Sequence, residues 1–338
     1  MVMITPRFKK KYLFLCFFAF QFFLMFYISW CPTEDLSRME KLVLIYQKQI
    51  MTQDLELKKL KVPVTRPKIY YGTEQKILPK YIKDLPYIYA ITPTYTRLEQ
   101  KAELTRLSQT LLHIPNFHWI VIEDAITKTQ LVTKFLRNSG LNYTHLNALT
   151  PKHYKLEEKD PNWLKPRGVL QRNAGLEWIV TNRNNKSNGV IYFMDDDNTY
   201  SLKLFDEIRF TEKVSVWPVG LSGGLRFESP IVTNNEVSNW FVYWKPERPF
   251  PMDMAGFAIN LNFFLQYPEA RFSLRVQRGY QESTLLSQLH VKLNDLEPKA
   301  NDCKEILVWH TRTEKTKLKN EDKLKLKYGH GSDLTIEV

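Results

Sequence analysis

The chain has 338 residues, 43% of them hydrophobic, and a formal net charge of +12. That is apolar material for one large or two modest globular units, which excludes a disordered or fibrous chain. The basic balance suits an anionic partner, such as nucleic acid, a membrane surface or an acidic or phosphorylated sugar, but no zinc-ligand spacing, Walker loop or RNP-like motif marks nucleic acid.

Arg7, Lys9, Lys10 and Lys11 precede an apolar run from Tyr12 to Cys31. Roughly 20 such residues cross the hydrocarbon core as a helix, with the basic flank on the cytoplasmic side. The pattern predicts a cytoplasmic tail over 1–11, a retained signal anchor over 12–31, and a type II topology with the bulk of the chain lumenal. A cleaved signal peptide is the competing reading. Its apolar region normally has about 7–15 residues and small residues at the cleavage site, whereas this run ends in Ser29, Trp30, Cys31 and Pro32.

Residues 32–84 read as a stem. Leu36, Val43, Ile50 and Leu57 form one heptad seam and Met39, Tyr46, Gln53 and Leu60 the other, which fits a short coiled coil or a solvated, partly helical linker. Pro63, Pro67, Pro79 and Pro86 then interrupt any helix. Asn142 and Asn185 head N-glycosylation sequons, in keeping with a lumenal location. Cys16, Cys31 and Cys303 are too few for a disulfide scaffold. Cys31, just outside the bilayer, is expected to pair with its twin across a dimer, which a monomer-only band on a non-reducing gel would contradict.

From Ile88 the chain alternates. "YIYAITPTY" reads as strand then loop, 98–112 as helix, "HWIVIEDA" as strand then loop, and 127–138 as helix. "YTHLNAL" reads as strand, 169–181 as helix and 190–194 as strand. Alternating β and α segments imply a mostly parallel sheet covered on both faces, here a Rossmann-type half. With 12 glycines and no dinucleotide fingerprint, the phosphates of a nucleotide would need a metal rather than a Gly-rich cradle.

The last of these strands runs into three carboxylates, "GVIYFMDDDNTYS". Asp195, Asp196 and Asp197 repel one another, and keeping them ionised calls for a cation, strong donors or full solvation. The carboxyl edge of an open α/β sheet is where ligands bind. The alternative is an acidic turn capping the next helix, with Asn198, Thr199 or Ser201 as N-cap. Beyond Ser201 aromatic and charged residues interleave, which suits a sugar-binding cleft. Ordinary packing is the other reading of Trp217, Trp240, Phe241 and Trp244.

Taken together, "TPTYTRLEQKAELTRLSQTL", "VIEDA", "PRGVLQRN", "YFMDDDNTYS", "SVWPVGLSGGLRFE", "RPFPMDMAGFA", "RGYQESTLLSQL" and "VWHTRTEK" resemble the inverting β-1,3-glucuronosyltransferases that build proteoglycan linkers and certain glycoprotein caps. The similarity runs from about 85 to 338. It implies an α/β fold of GT-A-like type, with a UDP-sugar donor-binding half over 85–200 and an acceptor-binding half with a C-terminal dimer arm over 201–338. It also implies a single-pass Golgi membrane enzyme, a homodimer that uses manganese, with UDP-glucuronate as donor.

Residue by residue, Asp197 matches the manganese ligand, and Asp195 and Asp196 match carboxylates at the donor. Tyr95 and Asp124 match the uracil site. Arg167, Arg172, Arg278, His310 and Arg312 match positions around the diphosphate and glucuronyl group, where Arg can form charge-assisted, bidentate bonds. Glu282 matches the catalytic base, which takes the acceptor hydroxyl's proton as inversion proceeds. Glu228, Trp244, Arg248, Asp253 and Asn320 fall at acceptor positions.

Two residues depart from the family pattern: Leu170 stands for a Glu between Arg167 and Arg172, and Asn320 stands where proteoglycan-type members place a Gln. The expected acceptor is the galactosyl-galactosyl-xylosyl linker on a proteoglycan core protein, with N-acetyllactosamine termini as the alternative. A nucleotide-sugar hydrolase and a catalytically silent Golgi lectin are the readings from other classes.

Overall fold

The computed structural model describes residues 81–156, 160, 165–184, 187–333 and 336–338. The expected span over 12–31, the stem heptads, Cys31 and Asn185 lie outside the described residues. Among the described residues, no helix is long and apolar enough to cross a membrane.

Apolar runs buried on both faces make the central strands. β1 (Tyr87–Thr94) and β2 (Phe117–Glu123) are joined by helix α1 (Gln100–Leu111), and α2 (Gln130–Asn138) connects β2 to β3 (Tyr143–Asn147). Helix α3 (Val169–Asn182) leads into β4 (Gly189–Phe193). α1 turns Leu104, Leu107 and Leu111 inward at helical spacing. Thr129 caps α2 by accepting from the Val132 N–H at 3.4 Å. Each element matches its sequence expectation, with ends differing by up to three residues. α2 starts later than 127 because Thr129 closes its N-terminus.

After β4 come β5 (Thr199–Tyr200), α4 (Leu202–Ile208), β6 (Val214–Val216) and β7 (Val219–Gly220). β8 (Phe227–Thr233) and β9 (Glu236–Phe241) form a hairpin. β10 (Phe257–Asn260) runs into α5 (Leu261–Phe264), and α6 (Gln281–Gln288), β11 (Leu296–Pro298), β12 (Val308–Trp309) and α7 (Lys319–Tyr328) complete the order.

One sheet runs β11-β6-β10-β4-β1-β2-β3. β4, β1, β2 and β3 are mutually parallel, while β10 is antiparallel to both β4 and β6. It therefore draws strands from both sides of residue 200. Alternation along β1 divides the core, as the period of two requires. Ile88 and Ala90 join Leu104, Val132 and Phe205 on one face, and Tyr89 and Ile91 join Leu176, Phe264 and Leu285 on the other. Gly175 lets α3 approach closely, since a Cβ there would stand 2.8 Å from Ile91 Cγ2.

The chain passes outward from β1 to β2 and β3, then returns to β4 on β1's other side. This reversal is a topological switch point, and the carboxyl ends of β1 and β4 flank its crevice. A second sheet, β5-β12-β7-β8-β9, supplies the opposite wall. Ahead of β12, Ala300, Asn301, Asp302 and Cys303 all have φ between 53 and 59°, one left-handed turn. Asn and Asp tolerate that conformation best among residues with a side chain. Cys303 is buried there, and burial pushes its thiol up to about 12, so it is unreactive.

Candidate active site

At the end of β1, Arg97 lies over the Tyr95 ring, 4.5 Å from its centroid. Its guanidinium also pairs with Asp196 at 2.8 Å and with Glu103 of α1. Thr94 Oγ1 donates to the other Asp196 oxygen at 2.7 Å, and Gln100 Nε2 donates to Thr94 at 3.0 Å. Both Asp196 oxygens are thus engaged within the protein. Burial lifts its carboxyl to about 6, against Arg97 and Thr94. Sequence reasoning missed Arg97, although it stands two residues after Tyr95 in a quoted motif.

Asp195 faces α3, where Arg172 Nη2 meets it at 2.5 Å. Arg167 is exposed on the loop before α3, and its carbonyl accepts from Arg172 at 2.9 Å. Leu170 is half-buried in the first turn of α3. At the end of β2, Asp124 Oδ1 accepts from the Thr150 N–H at 2.8 Å, with Lys155 Nζ at 3.4 Å.

Asp197 differs from its neighbours. Its carbonyl accepts from Arg106 at 2.9 Å and Thr311 at 2.6 Å, yet its carboxylate forms no hydrogen bond or ion pair among the described residues. Burial and then the Asp195 charge push it above the usual carboxylate range. A half-buried carboxylate pressed by a like charge fits a divalent cation. Among the described residues no three His, Cys, Asp or Glu side chains form a closed metal cluster. The capping alternative is not realised in side-chain bonds: Ser201 occupies the N-cap of α4 without one.

β7 and β12 bring up the opposite wall. Leu221 to Gly224, Asp253 and His310 to Arg312 line a cavity of about 550 Å³. His310 Nδ1 stands 3.3 Å from Asp253 Oδ2, off the line of a hydrogen bond, and Arg312 Nη2 lies 3.4 Å from His310 Nε2. The Asp253 contact raises the His310 imidazole. Burial opposes ionisation of Asp253, but His310, the Ala255 N–H at 2.9 Å and Ser222 hold it below the usual range.

Glu282 is the second residue of α6, inside its first turn; the N-cap position belongs to Tyr280. Burial lifts its carboxyl to about 7, Asp253 adds to that, and Arg248 and Arg172 oppose it. A carboxylate poised near neutrality is suited to take a proton from a hydroxyl.

Trp244 lies beneath three cations, Arg278 at 4.7 Å, Lys245 at 5.1 Å and Arg248 at 5.2 Å from its ring. Arg248 is buried and donates to the carbonyls of Lys245, Gly279 and Trp244 at 3.0, 2.8 and 3.2 Å, so it fixes the loop that carries the indole. Trp217 is core, Trp240 is half-buried, and Phe241 is 49% exposed. Asn320 stands on exposed α7, and no hydrogen bond of its side chain joins it to the other acceptor positions among the described residues. Asn142 is exposed ahead of β3, while the hydroxyl of its sequon Thr144 meets His118 Nε2 at 2.8 Å.

The chain is similar to several known proteins over most of its length. Galactosylgalactosylxylosylprotein 3-beta-glucuronosyltransferase 3 of Mus musculus is 49% identical over 300 residues, which cover 86% of this chain and 88% of the relative. Galactosylgalactosylxylosylprotein 3-beta-glucuronosyltransferase 1 of Canis lupus familiaris is 55% identical over 266 residues, 77% of each chain. Among solved structures, S. aureus TarS 1–349 aligns at a TM-score of 0.42 and 14% identity, over 67% of this chain and 60% of that one. The model of glycosyltransferase family 43 matches residues 107–314. The match takes in Asp195 to Asp197, Glu228, Asp253, Glu282 and His310, and the chain belongs to glycosyltransferase family 43.

Proposed function

We propose that this enzyme moves glucuronic acid from UDP-glucuronate to the 3-hydroxyl of the terminal galactose in a galactosyl-galactosyl-xylosyl linker on a protein, with inversion. The observation that carries this reading is the near full-length likeness to relatives of that name, coupled to the Glu282 carboxyl, which burial lifts to about 7. Tyr95 stacks on uracil and Asp124 accepts from it. Arg172, Arg278, His310 and Arg312 meet the anionic diphosphate and glucuronyl group. Glu228, Asp253 and Trp244 hold the galactose.

Glu282 accepts the proton of the attacking hydroxyl, so the oxygen becomes nucleophilic as the bond to UDP breaks. Because the hydroxyl attacks directly, no covalent enzyme intermediate is needed. Asp197 would hold a divalent cation, with manganese preferred, beside Asp195. Such an ion neutralises the charge that builds on the leaving diphosphate.

The remaining parts of the proposal are a GT-A-like division into donor and acceptor halves, a Golgi membrane anchor over 12–31, and a homodimer to which α7 contributes. The test supplies a fragment from about residue 85 with manganese and UDP-glucuronate, against a digalactosyl and an N-acetyllactosamine acceptor in parallel. Transfer to the first supports the assignment. Transfer to the second alone would move the specificity to glycoprotein termini and place the difference at Asn320 and its surroundings.

A further inference from the structure

Ser222 follows β7 and is buried, and its side chain sits between two acids. Its Oγ is 2.8 Å from Glu228 Oε2 and 3.0 Å from Asp253 Oδ2. A hydroxyl has one proton to donate and lone pairs to accept with. If both acids were ionised, one carboxylate oxygen would face a serine lone pair at hydrogen-bond distance in a buried site. The contact is relieved when one acid keeps its own proton and donates it to Oγ.

The surroundings decide which acid that is. Asp253 faces His310 at 3.3 Å and accepts from the Ala255 N–H, both of which favour its ionised form. The charged groups bearing on Glu228 are Asp253, Arg248 and His310. Arg248 has its guanidinium committed to three backbone carbonyls, so its pull on Glu228 acts at a distance. Burial raises the Glu228 carboxyl, in agreement with this placement of the proton. The second Glu228 oxygen, Oε1, packs against Gly223, a residue that lines the cavity, and a Cβ there would overlap it.

We propose that Ser222 is a positioning residue of the acceptor site: it donates its proton to Asp253, accepts one from Glu228, and so presents Glu228 to the sugar as a neutral acid. The proton count closes as Glu228 O–H to Ser222 Oγ, and Ser222 O–H to Asp253. Glu228 Oε1 then accepts from a sugar hydroxyl as a carbonyl would. This rests on the proposed function above, in which Glu228 meets the acceptor.

The test measures acceptor KM and kcat for a digalactosyl-xyloside at saturating UDP-glucuronate, from about pH 5 to 9, a range wide enough to span a raised carboxyl. In the unaltered enzyme KM rises toward alkaline pH, as Glu228 loses its proton. Glu228→Gln keeps the neutral shape, with its amide donating to Ser222; KM is raised about threefold and its pH dependence is lost. Glu228→Ala raises KM well over tenfold. Ser222→Ala raises KM about tenfold with a smaller effect on kcat, and Ser222→Thr restores most of the loss. A KM flat with pH in the unaltered enzyme, together with Glu228→Gln as impaired as Glu228→Ala, would overturn the shared proton and leave the acceptor role standing. An unchanged KM in Glu228→Ala would overturn both.

Discussion

Gly279 backs directly onto Trp244. A Cβ at Gly279 would overlap the six-membered ring of the indole, and the glycine's φ of +84° lies in the left-handed region. The two residues are 35 positions apart in the chain, so the glycine is required by a contact rather than by a local turn alone. Gly279→Ala should push the indole out of its place under Arg278 and strain the backbone by about 1 kcal/mol. The expected result is an acceptor KM raised at least about tenfold while UDP affinity, measured by calorimetry, changes little.

Arg97 ties the Tyr95 ring to Asp196 and Glu103 at one guanidinium. Arg97→Met keeps much of the stem volume and removes the charge. It leaves two buried carboxylates without their cation, a loss of about 3–5 kcal/mol. Thermal unfolding should shift down by several degrees, and UDP should bind at least about tenfold more weakly because Tyr95 loses its support. Equal UDP affinity in a folded variant would show that the Tyr95 platform stands without it.

Glu282 must be ionised to act as base, and its carboxyl is raised to about 7. The sign follows: kcat climbs as pH rises through about 7, and below that it falls about tenfold per unit. Glu282→Gln should lower kcat by about 10²–10⁴-fold and abolish that limb, with UDP binding preserved. A variant with the same acid limb would place the titrating base elsewhere.

Asp197 is the acid of the triplet whose carboxylate has no protein partner among the described residues. Asp197→Asn removes the charge and nearly preserves the shape. Manganese binding in the presence of UDP, followed by electron paramagnetic resonance, should weaken at least about tenfold. The same substitution should relieve the repulsion on Asp195. Unchanged manganese affinity would move the cation to another residue.

Much of this was legible in one dimension. The βα alternation from Ile88 is written in apolar runs and caps, and β4 ending in three acids points to a site once the other motifs are read beside it. Glu282 could be named only through its motif, because its burial near Asp253, Arg248 and Arg172 brings together groups up to 110 positions apart. Arg97 and Ser222 were not legible for the same reason: each looks like an ordinary polar loop residue until the fold sets it against acids 99 and 31 positions away. Asp196 matches a donor-site carboxylate through its motif, and the sequence does not show that Thr94 and Arg97 engage both of its oxygens.

An inverting transfer of glucuronate onto the galactose 3-hydroxyl, with Glu282 as base, fixes the configuration and position of the new linkage. Nuclear magnetic resonance of the product formed from UDP-α-glucuronate and a digalactosyl-xyloside reads it most directly. The expected product is a β-linked glucuronate at O3 of the terminal galactose, formed with one UDP per linkage and absent with Glu282→Gln. An α-linked product, or UDP released as fast without the acceptor as with it, would contradict the inverting transfer.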